Sequence, residues 1–179
     1  MVTAAFRVLY IFVVLELGSR RIVHYNVTAH PTAEWTLQQF RETLPHDHPY
    51  RFLIHDHDRI FSGALDQQVT NLGVRVLRTP LRAPMANSVC ERFGGSLRRE
   101  CLDFLIPFNE RHLKITVKHW FAHYNRGRPH SSLGPGIPEP NQDTVPIGEK
   151  RHELPTGHRV VKRAVLGGLH HEYNLVKAA

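Results

Sequence analysis

Apolar and polar positions change period several times along the chain, and each change marks an element. Residues 7–17 are β-branched and aromatic enough for a buried strand, and 21–28 alternates as its antiparallel partner across Gly18-Ser19. From Pro31 the period lengthens to that of a helix, with Trp35, Leu37, Phe40 and Leu44 on one side and Gln38, Gln39 and Glu42 mostly opposite, until Pro45 and Pro49 end it. A short strand at 51–55, a helix at 61–72 stopped by Gly73, and a strand at 74–77 before Pro80 follow. Strand and helix in alternation predict an α/β protein with a partly parallel sheet.

Residues 82–87 read as a loop and 88–104 as a helix. A further helix over 110–125 puts Leu113, Val117, Trp120, Phe121 and Tyr124 on one face, the spacing of a core-facing helix. Beyond Leu133 the composition shifts to Gly, Pro and polar residues, with five prolines from Pro135 to Pro155. The expected division is therefore a core at 1–133 and an irregular extension at 134–179, in which 159–165 makes a strand and 166–173 turns into a second.

At 179 residues the chain is long enough to bury roughly two-thirds of its unfolded surface. A net charge of +7, a pI near 9.8 and fourteen histidines favour a polyanionic partner, nucleic acid first, although basic charge also simply aids solubility. The apolar run 8–15 is shorter than the about 20 residues that cross a bilayer, and Arg7 and Glu16 bracket it. Arg20-Arg21 follows that run, the wrong order for an export signal, so no membrane partner is expected. Cys90 and Cys101 are eleven positions apart with no Cys-x-x-Cys, which suits a reducing cytoplasm and indicates neither a disulfide framework nor a structural zinc site.

The candidate chemistry lies in Asp56 and Glu91, thirty-five positions apart, with Arg98 seven further on. A strand-end Asp and a helix-borne Glu can supply two of the hard oxygen ligands that a two-metal phosphoryl-transfer site requires. Each also has a plainer role. Asp56 can bind local amides in a turn, and Glu91 can complete a capping box with Ser88, worth about 0.5–2 kcal/mol. Glu91, Gly94, Gly95 and Arg98 share one helix face, beside an apolar face of Cys90, Phe93, Leu97 and Cys101. The two glycines cost about 1 kcal/mol each relative to Ala. Close approach of a DNA backbone would account for them, with Arg92, Arg98 and Arg99 on phosphates. Arg126 and Arg128, at a helix end, suit the helix dipole first and phosphate contact second. His55-Asp56-His57-Asp58, with His46-Asp47-His48, supports a rival reading as a transition-metal hydrolase. Against it, alternate strand residues point to opposite faces and no zinc-type spacing occurs.

Segments 7–21, 28–32, 51–61, 79–103 and 123–133 carry a resemblance in one fixed order, including Thr28-Ala29-His30-Pro31-Thr32, Asn87-Ser88-Val89-Cys90-Glu91-Arg92-Phe93 and His123-Tyr124-Asn125-Arg126-Gly127-Arg128-Pro129-His130. Together they resemble the integrase catalytic core of bacterial insertion-sequence transposases, in the retroviral-integrase superfamily. The resemblance implies an RNase H-like mixed sheet flanked by helices and an Asp-Asp-Glu site for two Mg²⁺ or Mn²⁺ ions. It also implies DNA partners, the element ends and the target, and a homo-oligomer. It makes Asp56 the bridging ligand and Glu91 the second-metal ligand, and places Asn87 beside the metals.

One departure matters. The family's first catalytic Asp stands on a strand just upstream of Arg7-Val8-Leu9-Tyr10, and Met1-Val2-Thr3-Ala4-Ala5 begins too late to contain it. Glu16 lies at the wrong end of its strand, and Asp58 comes from the same element as Asp56. The expectation is therefore a sheet missing its first central strand, between 7–17 and 51–55, with two unpaired edges. Metal binding by two carboxylates should be weak, and strand transfer by this polypeptide alone slight. A truncated or wrongly started transposase core, a DNA-binding remnant that interferes with an intact copy, and the hydrolase are the three functional expectations.

Overall fold

The computed structural model describes residues 1–80, 88–134, 136–140 and 154–178. The chain divides into two compact units, Met1–Leu17 with Ile22–Lys114, and Gly18–Arg21 with Ile115–Ala179.

In the first unit, β1 (Tyr10–Leu15) and β2 (Ile22–Thr28) pair antiparallel, Tyr10 opposite Thr28 and Val13 opposite Tyr25, with a bulge between Val14 and Leu15. Helix α1 (Ala33–Thr43) starts where the Thr32 hydroxyl accepts the Trp35 N–H at 3.2 Å. Its apolar side packs as the pattern predicts, but Gln39, assigned to the polar side, is buried. The reason lies on β2: Gln39 Oε1 accepts from Asn26 Nδ2 at 2.7 Å and lies 3.0 Å from His24 Nε2, so its burial is compensated.

Strands β3 (Phe52–His55) and β4 (Arg75–Arg78) are parallel, Phe52 opposite Arg75, and helix α2 (Gly63–Thr70) joins them as a crossover. This helix is shorter than the pattern predicts because Ser62 caps it, accepting the Leu65 N–H at 3.2 Å. Phe61 is thereby left outside the helix, stacked on His55. Leu37, Phe40 and Leu44 of the α1 segment meet Leu65, Val69 and Val74 in the core, with Phe12, Val14, Leu53 and Val76 against them. Burying each such aliphatic or aromatic side chain contributes about 1.5–3 kcal/mol. Among the described residues β1–β2 and β3–β4 are separate two-stranded sheets, not parts of one mixed sheet.

Helix α3 (Ser88–Glu100) buries Phe93 and Leu97. It ends at Glu100, short of the predicted 104, because Cys101 leaves helical dihedrals (φ −141°) and Leu102–Phe104 forms a separate 3₁₀ turn. Cys101 is buried, but Cys90, assigned to the same apolar face, is exposed.

Helix α4 (Glu110–Arg126) has residues in both units, and its stripe of Leu113, Val117, Trp120, Phe121 and Tyr124 is buried as the spacing predicts. The second unit also holds β5 (His158–Val165) and β6 (His170–Lys177), paired antiparallel from His158↔Lys177 to Val165↔His170. The strand β6 begins after the turn at Leu166–Gly168, where Gly167 and Gly168 take φ of 67° and 98°.

Candidate metal and nucleic-acid site

Asp56 leaves the carboxyl end of β3, and the residue before it is held from three sides. His55 is buried, with Nε2 3.0 Å from Asp66 Oδ1, Nδ1 2.6 Å from the Asp56 carbonyl oxygen, and its ring 4.2 Å from that of Phe61. The other Asp66 oxygen accepts from Arg78, Nε at 2.7 Å and Nη2 at 2.6 Å. An α2 carboxylate thus ties the ends of β3 and β4 together, which fixes the backbone from which Asp56 projects. The hydrophobic pattern carries no sign of this network, because its members are side chains eleven and twelve positions apart on different elements.

Asp56 itself makes a turn: its Oδ1 accepts the Asp58 N–H at 3.1 Å, and Asp58 Oδ1 accepts the Ile60 N–H at 3.0 Å. The plainer role for Asp56 is therefore real. Glu91 stands exposed in the first turn of α3, whose first residue is Ser88. Asp56 lines the same cavity as Val89 and Cys90. Partial burial, and then the negative charges of Asp56 and Glu91, hold the Cys90 thiol above its ordinary value, although the residue remains exposed. Asp56 and two residues of the turn that bears Glu91 thus line one cavity.

As a donor set, two carboxylates suit Mg²⁺ or Mn²⁺. Glu16 lines the same cavity, but no three His, Cys, Asp or Glu side chains among the described residues gather into a cluster. Three of the four histidines of the rival set have other employment, His55 as described above. His57 Nε2 donates to the Thr79 carbonyl at 2.7 Å. His48 Nε2 donates to the Leu72 carbonyl at 3.0 Å, and its Nδ1 accepts the Tyr50 N–H at 3.1 Å.

On α3, Arg92 Nε donates to the Ser88 carbonyl at 3.2 Å, and Arg98 Nε lies 3.2 Å from Asp103 Oδ1 at an exposed position. Arg99 is exposed. Surface pairs of this kind are worth about 0–1 kcal/mol, little enough for a phosphate to displace. A Cβ at Gly94 would meet nothing within 4 Å, and one at Gly95 only the Arg99 guanidinium. Packing demands neither glycine. Asn87 lies outside the described residues. In the second unit, Arg126 Nε lies 3.0 Å from Glu139 Oε2, and the Arg128 guanidinium 5.9 Å from the Tyr124 ring centre.

Residues 72–138 match the family model of the integrase core domain. This stretch is similar to integrase core sequence. Glu91, Arg92, Arg98, Arg99, Arg126 and Arg128 lie within the match, and Asp56 precedes it. A comparison with curated proteins gives no match.

Proposed function

We propose that the chain is the catalytic core of an insertion-sequence transposase, RNase H-like in its sheet, acting on DNA by metal-dependent phosphoryl transfer. The observation that supports this reading is that Asp56, at the end of β3, lines one cavity with Val89 and Cys90, of the helix turn that also carries Glu91. Residues 1–133 form the core in this reading, and 134–179 an extension.

Mg²⁺ or Mn²⁺ held by Asp56 and Glu91 would supply Lewis-acid stabilisation of charge at the scissile phosphate. The chain's own residues do the rest. His55, through Asp66 and Arg78, holds the backbone of Asp56 in place. Gly94 and Gly95 leave the α3 face flat enough for a DNA backbone, and Arg92, Arg98 and Arg99 neutralise phosphates along it. Arg126, Arg128 and, by the resemblance, Asn87 extend the DNA-contacting set. Element ends and target DNA are the partners, bound by a homo-oligomer in the cytoplasm, and no helix among the described residues is long and apolar enough to cross a membrane.

Within residues 1–179 the resemblance supplies two of the three carboxylates, so divalent ions bind weakly and the polypeptide alone transfers strands poorly. The engagement of His48, His55 and His57 in other hydrogen bonds weighs against the hydrolase reading.

Binding and cleavage of labelled element-end DNA with Mn²⁺ test the proposal. The expected result is salt-sensitive DNA binding with little cleavage. Robust cleavage lost on Glu91→Ala would overturn the two-carboxylate argument, and absence of DNA binding at low salt would overturn the reading as a whole.

A further inference from the structure

The β5–β6 hairpin has two unlike faces. Residues opposite each other across the ladder share a face and successive residues alternate, so Val161, Arg163, Val165, His170 and Glu172 lie together on one side. That side meets α4: Glu172 Oε1 lies 2.9 Å from His123 Nδ1, and His170 stacks on the His123 ring. The other side therefore looks away from the helix. It presents Val160, Lys162, Tyr173, Leu175 and Lys177, all of them exposed.

Charge is divided as unevenly. Between His158 and Lys177 stand four cations, Arg159, Lys162, Arg163 and Lys177, against one carboxylate, Glu172. That carboxylate is buried on the α4 side, where His123 and Arg163 engage its two oxygens. The outward side thus holds lysines and no acidic residue of either strand. Lys162 stands directly opposite Tyr173, which is 65% exposed. Lys177 is four register positions further on, about 13 Å along the strands. Val160 and Leu175, opposite each other, stand between them.

We propose that this outward face binds single-stranded nucleic acid, with one unpaired base stacked on the Tyr173 ring, its neighbour over Val160 and Leu175, and phosphates on Lys162 and Lys177. The composition of the face selects this occupant. A plain apolar partner would strip water from both lysines with nothing to pair them. An acidic peptide would pair the lysines and leave the ring without a planar partner. Duplex DNA offers phosphates but keeps its bases stacked on one another, so Tyr173, Val160 and Leu175 would gain nothing from it. A single strand supplies a base face for the ring and phosphates for the cations at once. Both groups are common to DNA and RNA, so the face takes a single strand of either. The hairpin lies outside residues 72–138, and the inference does not rest on the transposase reading.

The probes are labelled oligothymidylate and oligouridylate of twelve nucleotides, iodouracil-substituted forms of both for photo-crosslinking, and a duplex of the same length, each added to the full chain. The expected result is saturable anisotropy with at least one single strand, and a crosslink to it mapped by mass spectrometry to Tyr173. Tyr173→Ala should lower the ratio of single-strand to duplex affinity about tenfold, the loss of one stacked base. Tyr173→Phe keeps the ring and should retain the native ratio. Lys162→Gln should lower the slope of log affinity against log salt by about 0.7, one phosphate contact. Both side chains are exposed, so neither change opens the core. An unchanged ratio in Tyr173→Ala, crosslinks that miss Tyr173 with both strands, or polyglutamate bound as tightly as the oligonucleotides overturns the proposal. Duplex binding that fails while the Tyr173 crosslink persists would overturn the transposase reading alone.

Discussion

His123 Nδ1 lies 2.9 Å from Glu172 Oε1, joining α4 to β6 through two buried side chains. The other Glu172 oxygen accepts from Arg163 on β5, with Nε at 3.1 Å and a second bond from Nη2, and His170 stacks on His123 at 5.0 Å. One carboxylate thereby holds the hairpin to the helix.

This pair predicts a pH dependence. Burial pushes the Glu172 carboxyl upward, but hydrogen bonds and charge from Arg163 and His123 outweigh it and hold the group below its ordinary 4.5. A depressed pKa contributes stability that is fully present above the unfolded value and lost as pH falls through the folded one. Thermal melts should show stability falling below pH 4.5 in the native chain. Glu172→Gln should flatten that fall and cost about 1–3 kcal/mol near neutrality. An unchanged acid limb would show that the pair does not contribute.

Gly127 follows α4, and a Cβ there would collide with Glu172 Oε1, Cδ and Cγ. Because Arg163 and His123 pin that carboxylate, it cannot swing aside freely. Gly127→Ala should destabilise by about 1–3 kcal/mol. Adding Glu172→Ala should make the Gly127→Ala penalty largely disappear in a double-mutant cycle of denaturant melts.

Gly94→Ala should do the reverse. With open space at its Cβ, alanine should stabilise α3 by about 0.5–1 kcal/mol. If α3 lies against a DNA backbone, the same change should weaken DNA binding in a filter-binding titration. Higher stability with unchanged DNA affinity would remove the reason given for this glycine.

Burial pushes the Cys101 thiol up to about 11 from 9.0. A raised pKa contributes stability that is present below the unfolded value and lost as pH rises through the folded one, so stability should fall between about pH 9 and 11. Cys101→Ala should lessen that slope. Thiol titration of the native chain should find Cys90, the exposed one, and reach Cys101 only on unfolding.

Asp66→Asn weakens both arms of the network behind Asp56. It should cost about 1–3 kcal/mol in melts and lower Mn²⁺ affinity measured by calorimetry, without touching either proposed ligand. An Mn²⁺ isotherm identical to that of the native chain would mean that the position of Asp56 is set elsewhere.

Much of this was legible from residues in order. The α4 stripe reads directly from the helical period, and the β1–β2 hairpin from alternation across Gly18-Ser19. Asp56 and Glu91 stand out because strand-end and helix-start positions are local properties. Gln39 was misplaced because whether a polar side chain may be buried depends on Asn26 and His24, residues of another element. Cys90 was misplaced because helical phase says which residues share a face but not how far along the helix that face stays covered.

The sequence by itself determined the elements, the integrase resemblance and the two candidate carboxylates, since capping, periodicity and motif spacing act over a few residues or along one strand. Tertiary structure alone decided that His55, Asp66 and Arg78 brace the end of β3, that Glu172 locks β5 and β6 to α4, and that Asp56 of β3's end shares a cavity with Val89 and Cys90 of α3. Those relationships join side chains from separate elements, and their partners become definite only once the chain has folded.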